Sequence, residues 1–453
     1  MEVLMGIAPE DEGKGEIVPP PPRSWLNWQA HREKSGAIQI SELRLYSDAE
    51  FIAEAYDFGP YSFLNALAHT RANVRSLKPG IVLRAEWLLK ADMRVPFHTN
   101  DNHYHGGDIF DEVAALVSLL LDARIMAGPV DREFKPGEDP LGRPRGYDAT
   151  YLPLLPISQR APQLPHLHGM RDLRSLADFA TLPLLTPDGA AALIKAARLF
   201  QNALWVADST PENAWLLLVS SIETAANHWD GDQRSPEERF ALSYQGVINL
   251  LHKAGAGATV PKVARAFRGV VGATAKFVGS TRPRSAKFVG ARAFRGVVGA
   301  TAKFVGFMET FAPGAPEKRP TFGKFNFSSE PLTAAYKRIY ALRSRALHGG
   351  VPFPYPMCIP PERYDDGPYS EIPGGLACSA MGATWSSDDT PMLLHTFAYL
   401  ARGALLAWWH TLVPTDATRA DPPFTEILSV RPVADRFCPF PLTTPTHPDE
   451  TVG

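Results

Sequence analysis

The sequence predicts a small α+β domain at residues 37–160, followed by an all-α helical bundle at residues 187–412. Three observations favour this fold class. Apolar and polar residues alternate from residue 81 to residue 95, which is typical of a half-buried strand. Helical patterns with start signals dominate from Thr186 onward. Between the two parts, residues 161–186 close a proline-rich stretch and are interpreted as a linker.

The elements of the N-terminal part follow from local composition. Residues 1–36 contain four consecutive prolines and many charged residues, so a flexible arm is expected there. Apolar positions between Ile38 and Leu45 suggest a short strand, and the alternation at 81–95 predicts a longer one. Residues 108–127 predict a helix, because acidic residues in its first turn would favour the positive end of the helix dipole.

Five helices are predicted in the C-terminal part. Four begin with a Thr-Pro pair or a capping box, namely Thr186-Pro187, Thr210-Pro211, Ser235–Glu238 and Thr390-Pro391. The fifth has apolar residues at three-four spacing from Leu332 to Leu342. Residues 351–389 are rich in proline and glycine and longer than an ordinary bundle connection. Residues 413–453 are expected to form a disordered tail.

Composition indicates an ordinary globular protein. Of the 453 residues, 45% are hydrophobic and 21% are charged, and the net charge of −2 gives no general signal for nucleic-acid binding. The three cysteines are widely spaced, which predicts a reducing cytoplasm, no zinc site and no cofactor. No signal peptide is evident. Residues 391–413 are apolar but contain Arg402, so we expect a buried helix and no membrane contact.

A sequence duplication adds local positive charge. The segment 264–279 recurs unchanged at 291–306, and we interpret it as a tandem duplication or as an error in the gene sequence. Residues 252–308 hold eleven Lys and Arg and no Asp or Glu, with phenylalanines interleaved. Basic and aromatic residues together can bind phosphates and bases, which makes three residues candidate nucleic-acid contacts, Arg265, Arg268 and Lys276. A solvated basic loop without this role is the alternative.

The strongest candidate site is the segment Arg343-Ser-Arg-Ala-Leu-His348, followed by Gly349 and Gly350. Arginine can bind phosphate with two hydrogen bonds, and histidine can transfer a proton near neutral pH. In an ideal helix the two side chains would lie about 140° apart, at about 100° per residue. They share a face only if the helix unwinds at the glycines, where Gly349 is expected in the left-handed conformation. Simple helix termination is the alternative.

The Arg-x4-His pattern resembles the signature of the HEPN superfamily, and the wider stretch from residue 340 to residue 350 is similar to its Apea-like branch. An earlier helix carrying Glu223 among apolar residues, 215–229, strengthens the resemblance, which covers about residues 187–412. Many active members have Asn, Asp or His directly after the arginine, where this chain has Ser344. The resemblance implies a HEPN-like bundle, a homodimer and metal-independent RNA cleavage in toxin or antiviral systems.

The same resemblance implies roles for individual residues. His348 would transfer protons while the 2′-hydroxyl attacks phosphorus, and Arg343 would stabilise the pentacoordinate phosphate. Glu223 would orient Arg343, with Ser344 assisting and Arg345 contacting RNA. One histidine cannot easily serve both proton transfers, so two chains would face each other. The N-terminal domain would then sense a protein or ligand trigger.

Two alternatives remain open. In the first alternative, the protein is a catalytically silent dimer that binds RNA, nucleotide or a protein partner, as some family members are. In the second, it is a metal-dependent hydrolase that uses His103, His105 and Asp108, since histidine and carboxylate ligands suit zinc or manganese. A polar loop that leads into a capped helix explains Asp108 equally well.

Overall fold

The computed structural model describes most of the chain in segments. These are residues 21–52, 56–65, 77–89, 107–140, 153–156, 161–229, 248–249, 252–255, 258, 289–364, 367–374, 377–380 and 383–414. Three features lie outside these described residues: the third predicted helix, which begins at Ser235–Glu238, the part of the predicted tail beyond residue 414, and the first copy of the duplication.

An antiparallel sheet of five strands forms the N-terminal part. The strands of this part are β1 (Gln39–Ser47), β2 (Glu50–Ile52), β3 (Tyr56–Phe58), β4 (Tyr61–Asn65), β5 (Lys78–Trp87), β6 (Met126–Phe134) and β7 (Met170–Asp172). The sheet order is β3-β4-β5-β1-β6, while β2 and β7 pair separately in parallel. The strand predicted near residues 38–45 is therefore confirmed as β1. The strand predicted over residues 81–95 is present as β5 but ends at Trp87, and residues 90–95 lie outside the described residues.

Two helices cover the apolar face of this sheet, α1 (Arg23–Arg32) and α2 (Ile109–Leu121). The flexible arm predicted over residues 1–36 is wrong for the described residues 21–36, because they contain α1 with Trp28 buried in the core. Residues 1–20 lie outside the described residues. The α2 helix begins as predicted, with Asp108 forming a capping box with Asp111. It ends at Leu121, earlier than predicted, because Asp122 adopts the left-handed conformation with φ of 51°.

The helices of the C-terminal part are α3 (Pro187–Val206), α4 (Pro211–His228), α5 (Val289–Phe311), α6 (Ser329–Gly349) and α7 (Leu394–Leu412). The predicted starts of α3 and α4 are confirmed, and the Thr186 hydroxyl caps α3 by accepting from Gly189 N at 3.1 Å. The last helix begins at Leu394 rather than at Pro391. Within the described residues no helix is long and apolar enough to cross a membrane.

The predicted all-α, HEPN-like helical bundle is wrong as a description of the C-terminal part. Only about half of the described residues are helical. Between α6 and α7 the chain forms an antiparallel hairpin of β8 (Ala377–Ala380) and β9 (Ala383–Ser386). The physical reason is composition, because the prolines and glycines of residues 351–389 interrupt helices and leave the chain extended.

The helices and the sheet also share one hydrophobic core. Almost every residue of α2 is buried, including both flanks of the helix, and a helix that is apolar all round must be covered on several sides. The sheet covers one side, and α3 and α7 cover another. Arg402 of α7 donates to the carbonyl oxygens of Leu119 and Leu120 at 2.8 and 2.6 Å, which satisfies the end of α2.

The segment predicted as a linker, residues 161–186, is part of this core. It forms short 3-10 helices and buries leucines along its length. Phe179 is fully buried, and its ring centroid lies 5.0 Å from that of Trp28 and 5.4 Å from that of Phe63. These edge and tilted contacts hold the segment against the sheet.

A buried arginine connects the two parts of the structure. Arg124, between α2 and β6, donates to Asp48 at 2.6 Å and to Asp208 at 2.7 Å. Its Nε donates to the carbonyl oxygen of Leu204 at 2.7 Å. The Arg124 side chain has no solvent exposure. Asp48 follows β1 and Asp208 lies between α3 and α4, so one cation joins three elements.

We expect Arg124→Met to lower the free energy of unfolding by about 3–5 kcal/mol, because Asp48 and Asp208 would lose the buried guanidinium that they share. Among the described residues, Asp48 would keep only His168 as a partner, at 3.2 Å. Urea denaturation followed by circular dichroism measures the change. Arg174→Met is the control, since Arg174 pairs with Asp172 at the surface and its loss should leave the unfolding midpoint unchanged. Equal midpoints for both variants would contradict the role assigned to Arg124.

Candidate functional site

The structure brings Glu223 of α4 and Arg343 of α6 together. Nη2 of Arg343 forms an ion pair with Oε2 of Glu223. The other carboxylate oxygen, Oε1, accepts a hydrogen bond of 2.7 Å from the hydroxyl of Tyr340. The predicted partnership of these two residues is thus present, and Glu223 holds the guanidinium in a defined orientation.

Helix geometry explains how the third member, Tyr340, joins the pair. Residues three apart lie on the same face of a helix, so Tyr340 and Arg343 both point toward α4. The guanidinium carbon of Arg343 lies 5.7 Å from the Tyr340 ring centroid. Phe304 of α5 packs against the other side, with ring centroids 5.1 Å apart. Burial, and then the hydrogen bond to Glu223, raise the pKa of Tyr340 well above its ordinary value.

The contact with Glu223 leaves one nitrogen of the Arg343 guanidinium without a hydrogen bond to any described residue. Its Nε is buried and has no hydrogen-bond partner in the described part of the chain. A guanidinium remains charged at any physiological pH. Arg343 therefore combines a fixed position with a permanent charge, and its Nε–H is a buried donor that no described residue satisfies.

His348 lies apart from this cluster. The α6 helix continues without a break through Gly349, and it is Gly350, with φ of 64°, that adopts the left-handed conformation. The prediction that Gly349 would take this position is wrong. Because the helix does not unwind, Arg343 and His348 stay about 140° apart around its axis. His348 is exposed to solvent, and one chain alone does not place both residues on one face.

The remaining predicted site residues have different positions. Ser344 is half-buried and Arg345 is exposed, both in the last turns of α6. Arg265, Arg268 and Lys276 lie outside the described residues. The whole second copy of the duplication, residues 291–306, lies within α5. Its residues Phe304 and Val305 are buried in the core, as are the adjoining Phe307 and Met308.

The predicted metal cluster receives no structural support. Asp108 acts as the N-cap of α2, with its carboxylate accepting from the backbone N–H of Phe110 at 2.8 Å and of Asp111 at 3.0 Å. His103 and His105 lie outside the described residues. Among the residues that the structure describes, no group of three His, Cys, Asp or Glu is arranged to hold a metal ion.

Sequence reasoning missed Tyr340 as a member of the site, although its spacing of three from Arg343 is a signal for a shared helix face. Comparisons with known proteins give no further guide to the site. No family model, no curated protein and no solved structure matches this chain.

We expect Arg343→Gln to lower the free energy of unfolding by about 1–3 kcal/mol, because Glu223 would keep its partly buried charge with only Tyr340 as a donor. Chemical denaturation measures the change. Arg345→Gln is the matched control two residues further along α6, exposed to solvent, and should behave like the unmodified protein. A neutral effect of Arg343→Gln would show that the pair does not organise α4 and α6.

Proposed function

We propose that this protein is a metal-independent endoribonuclease that uses the Arg-x4-His motif in the manner of the HEPN superfamily. The observation that carries the proposal is the Glu223–Arg343 pair across α4 and α6, on the helix whose last turn carries His348 on a different face. This activity depends on the motif at the end of α6 and not on an all-α architecture. Use in toxin or antiviral defence belongs to the same proposal, as does a trigger sensed by the N-terminal part.

The proposed reaction follows from the chemistry of two side chains, those of His348 and Arg343. A base removes the proton of the 2′-hydroxyl, the resulting alkoxide attacks phosphorus, and an acid protonates the leaving 5′-oxygen. An imidazole can act as the base or as the acid, and His348 supplies it here. Arg343 stabilises the additional negative charge of the pentacoordinate phosphate. The products are a 2′,3′-cyclic phosphate and a 5′-hydroxyl.

A second copy of the chain completes the proposed site. Arg343 and His348 do not share a face of α6, and a single imidazole does not easily serve both proton transfers. Two apolar residues flank His348 at the surface, Leu347 with 51% exposure and Val351 with 48% exposure. Burying this apolar surface favours self-association at the end of α6. Two facing helix ends would supply two imidazoles and two guanidinium groups.

Comparing the unmodified protein with His348→Ala on labelled mixed RNA, in the presence of EDTA, tests the reaction. We expect the variant to lose at least about 100-fold in cleavage rate while its RNA affinity changes little. The control is His410→Ala, which removes an exposed histidine from the last turn of α7. Cleavage that needs a divalent metal, or that leaves a 5′-phosphate, would contradict the mechanism.

Replacing Leu347 by Glu tests the composite site. We expect the variant to sediment as a monomer and to lose cleavage, because a charge would be placed in the proposed contact between the two helix ends. Ile38→Glu is the matched control, since Ile38 is 52% exposed on the sheet domain. A monomeric Leu347→Glu protein with full cleavage would show that one chain contains the whole site.

A second candidate function is supported by the same geometry. Glu223 already neutralises Arg343, and an arginine held in this way can contact a phosphate without driving a reaction. The protein would then be a dimer that binds RNA or nucleotide without cleaving it. In the cleavage assay such a protein would retain labelled RNA intact, and His348→Ala would be indistinguishable from the unmodified protein.

A further inference from the structure

A cavity of about 330 Å³ lies between the sheet domain and the C-terminal helices. Asp122 at the end of α2, His166 in the segment before β7, and His395 in α7 contribute to its walls. Ligand sites are commonly about 300–1,000 Å³, so this volume suits a small molecule and is too small for a polynucleotide. The cavity is formed by different residues from those of the Arg343 site.

The cavity walls are mainly rings. Phe327, Tyr369 and Tyr399 contribute aromatic side chains, and four prolines contribute further flat apolar surfaces. The Tyr399 hydroxyl donates to the carbonyl oxygen of Gly314 at 3.0 Å, which fixes that ring. Proline backbones are also conformationally restricted. Rigid flat walls favour a planar ring as the bound group.

His395 supplies a directed polar contact. Its Nε2 lies 2.6 Å from the carbonyl oxygen of Ser370. Because a carbonyl only accepts, Nε2 carries the proton and the neutral ring leaves Nδ1 as an acceptor. Burial lowers the pKa of His395 to about 4, so the ring is neutral at pH 7. No described residue donates to Nδ1, which can therefore accept from a ring N–H or amino group of a ligand.

The charges around the cavity leave one cation unpaired. The Glu371 carboxylate forms an ion pair with the Arg319 guanidinium and accepts a hydrogen bond from the backbone N–H of Phe325. Asp122 lies 3.5 Å from His166. Burial alone would raise the pKa of Asp122, but the positive charges around it lower the pKa below its ordinary value. Lys318 lines the cavity, is exposed, and forms no ion pair with any described residue.

We propose that this cavity binds a nucleoside monophosphate, or a planar heteroaromatic anion of the same kind. The ring lies between the aromatic and proline walls, a ring N–H or amino group donates to His395, and the phosphate contacts Lys318. The three requirements are a flat ring, a hydrogen-bond donor and a negative charge. Because the walls come from both parts of the structure, bound nucleotide would contact the sheet domain and the helices together.

Titration calorimetry of the full chain with AMP, GMP, CMP and UMP tests the proposal. We expect at least one nucleotide to bind at a single site with a Kd below about 1 mM, a modest affinity for a small ligand. Lys318→Ala should weaken that binding about two- to fivefold, as expected for loss of one ion pair at an exposed lysine. Lys324→Ala, which removes an exposed lysine that does not line the cavity, should leave the affinity unchanged.

Three further measurements separate this site from its alternatives. His395→Leu should also weaken binding, and circular dichroism checks that the variant is folded. Inorganic phosphate should bind more weakly than the best nucleotide, because it has no ring. His348→Ala should retain nucleotide affinity. The proposal is overturned if none of the four nucleotides binds, if phosphate binds equally well, if both lysine variants lose affinity alike, or if His348→Ala abolishes binding.

Discussion

The position of Arg124 is the constraint on which the rest of the structure depends. A buried guanidinium is tolerated only when its donors and charge are satisfied, and here Asp48, Asp208 and the carbonyl of Leu204 satisfy them from separate elements. The end of β1, the corner after α2 and the connection between α3 and α4 must therefore meet at one point. The sheet and the helices are consequently parts of one packed core, although the sequence suggests two independent units.

Much of the local structure could be predicted from the sequence, because start signals act over three or four residues. Thr186 and Asp108 cap their helices as expected. The Glu223–Arg343 pair followed from the motif and the family resemblance. The shared core could not be predicted. The apolar pattern of α2 indicates that the helix is buried, but it does not indicate which elements pack against it. The cavity around His395 also escaped prediction, since its walls come from separate segments that only tertiary packing brings together.

The rigidity of α6 determines what kind of site its motif can form. A helix that continues through Gly349 holds its side chains at fixed angles, so Arg343 faces α4 while His348 faces solvent. The cation is fixed within the molecule and the imidazole is presented outward. This division separates positioning from proton transfer, and it explains why a partner chain enters the proposed mechanism. The cavity beside α7 is formed within one chain and has no such requirement.

The duplicated segment affects folding, because two identical stretches of the chain can compete for the same position in the core. Any part of the core that accepts Phe304 and Val305 would accept the identical Phe277 and Val278 of the first copy equally well. The residues that flank the two copies differ: Phe307 and Met308 follow the second copy where Ser280 and Thr281 follow the first, and Val289 and Gly290 precede the second copy where Lys262 and Val263 precede the first. Burial of each large apolar side chain is worth about 1.5–3 kcal/mol. The choice between two identical segments thus depends on their flanking residues, and only the second copy is followed directly by two large apolar side chains.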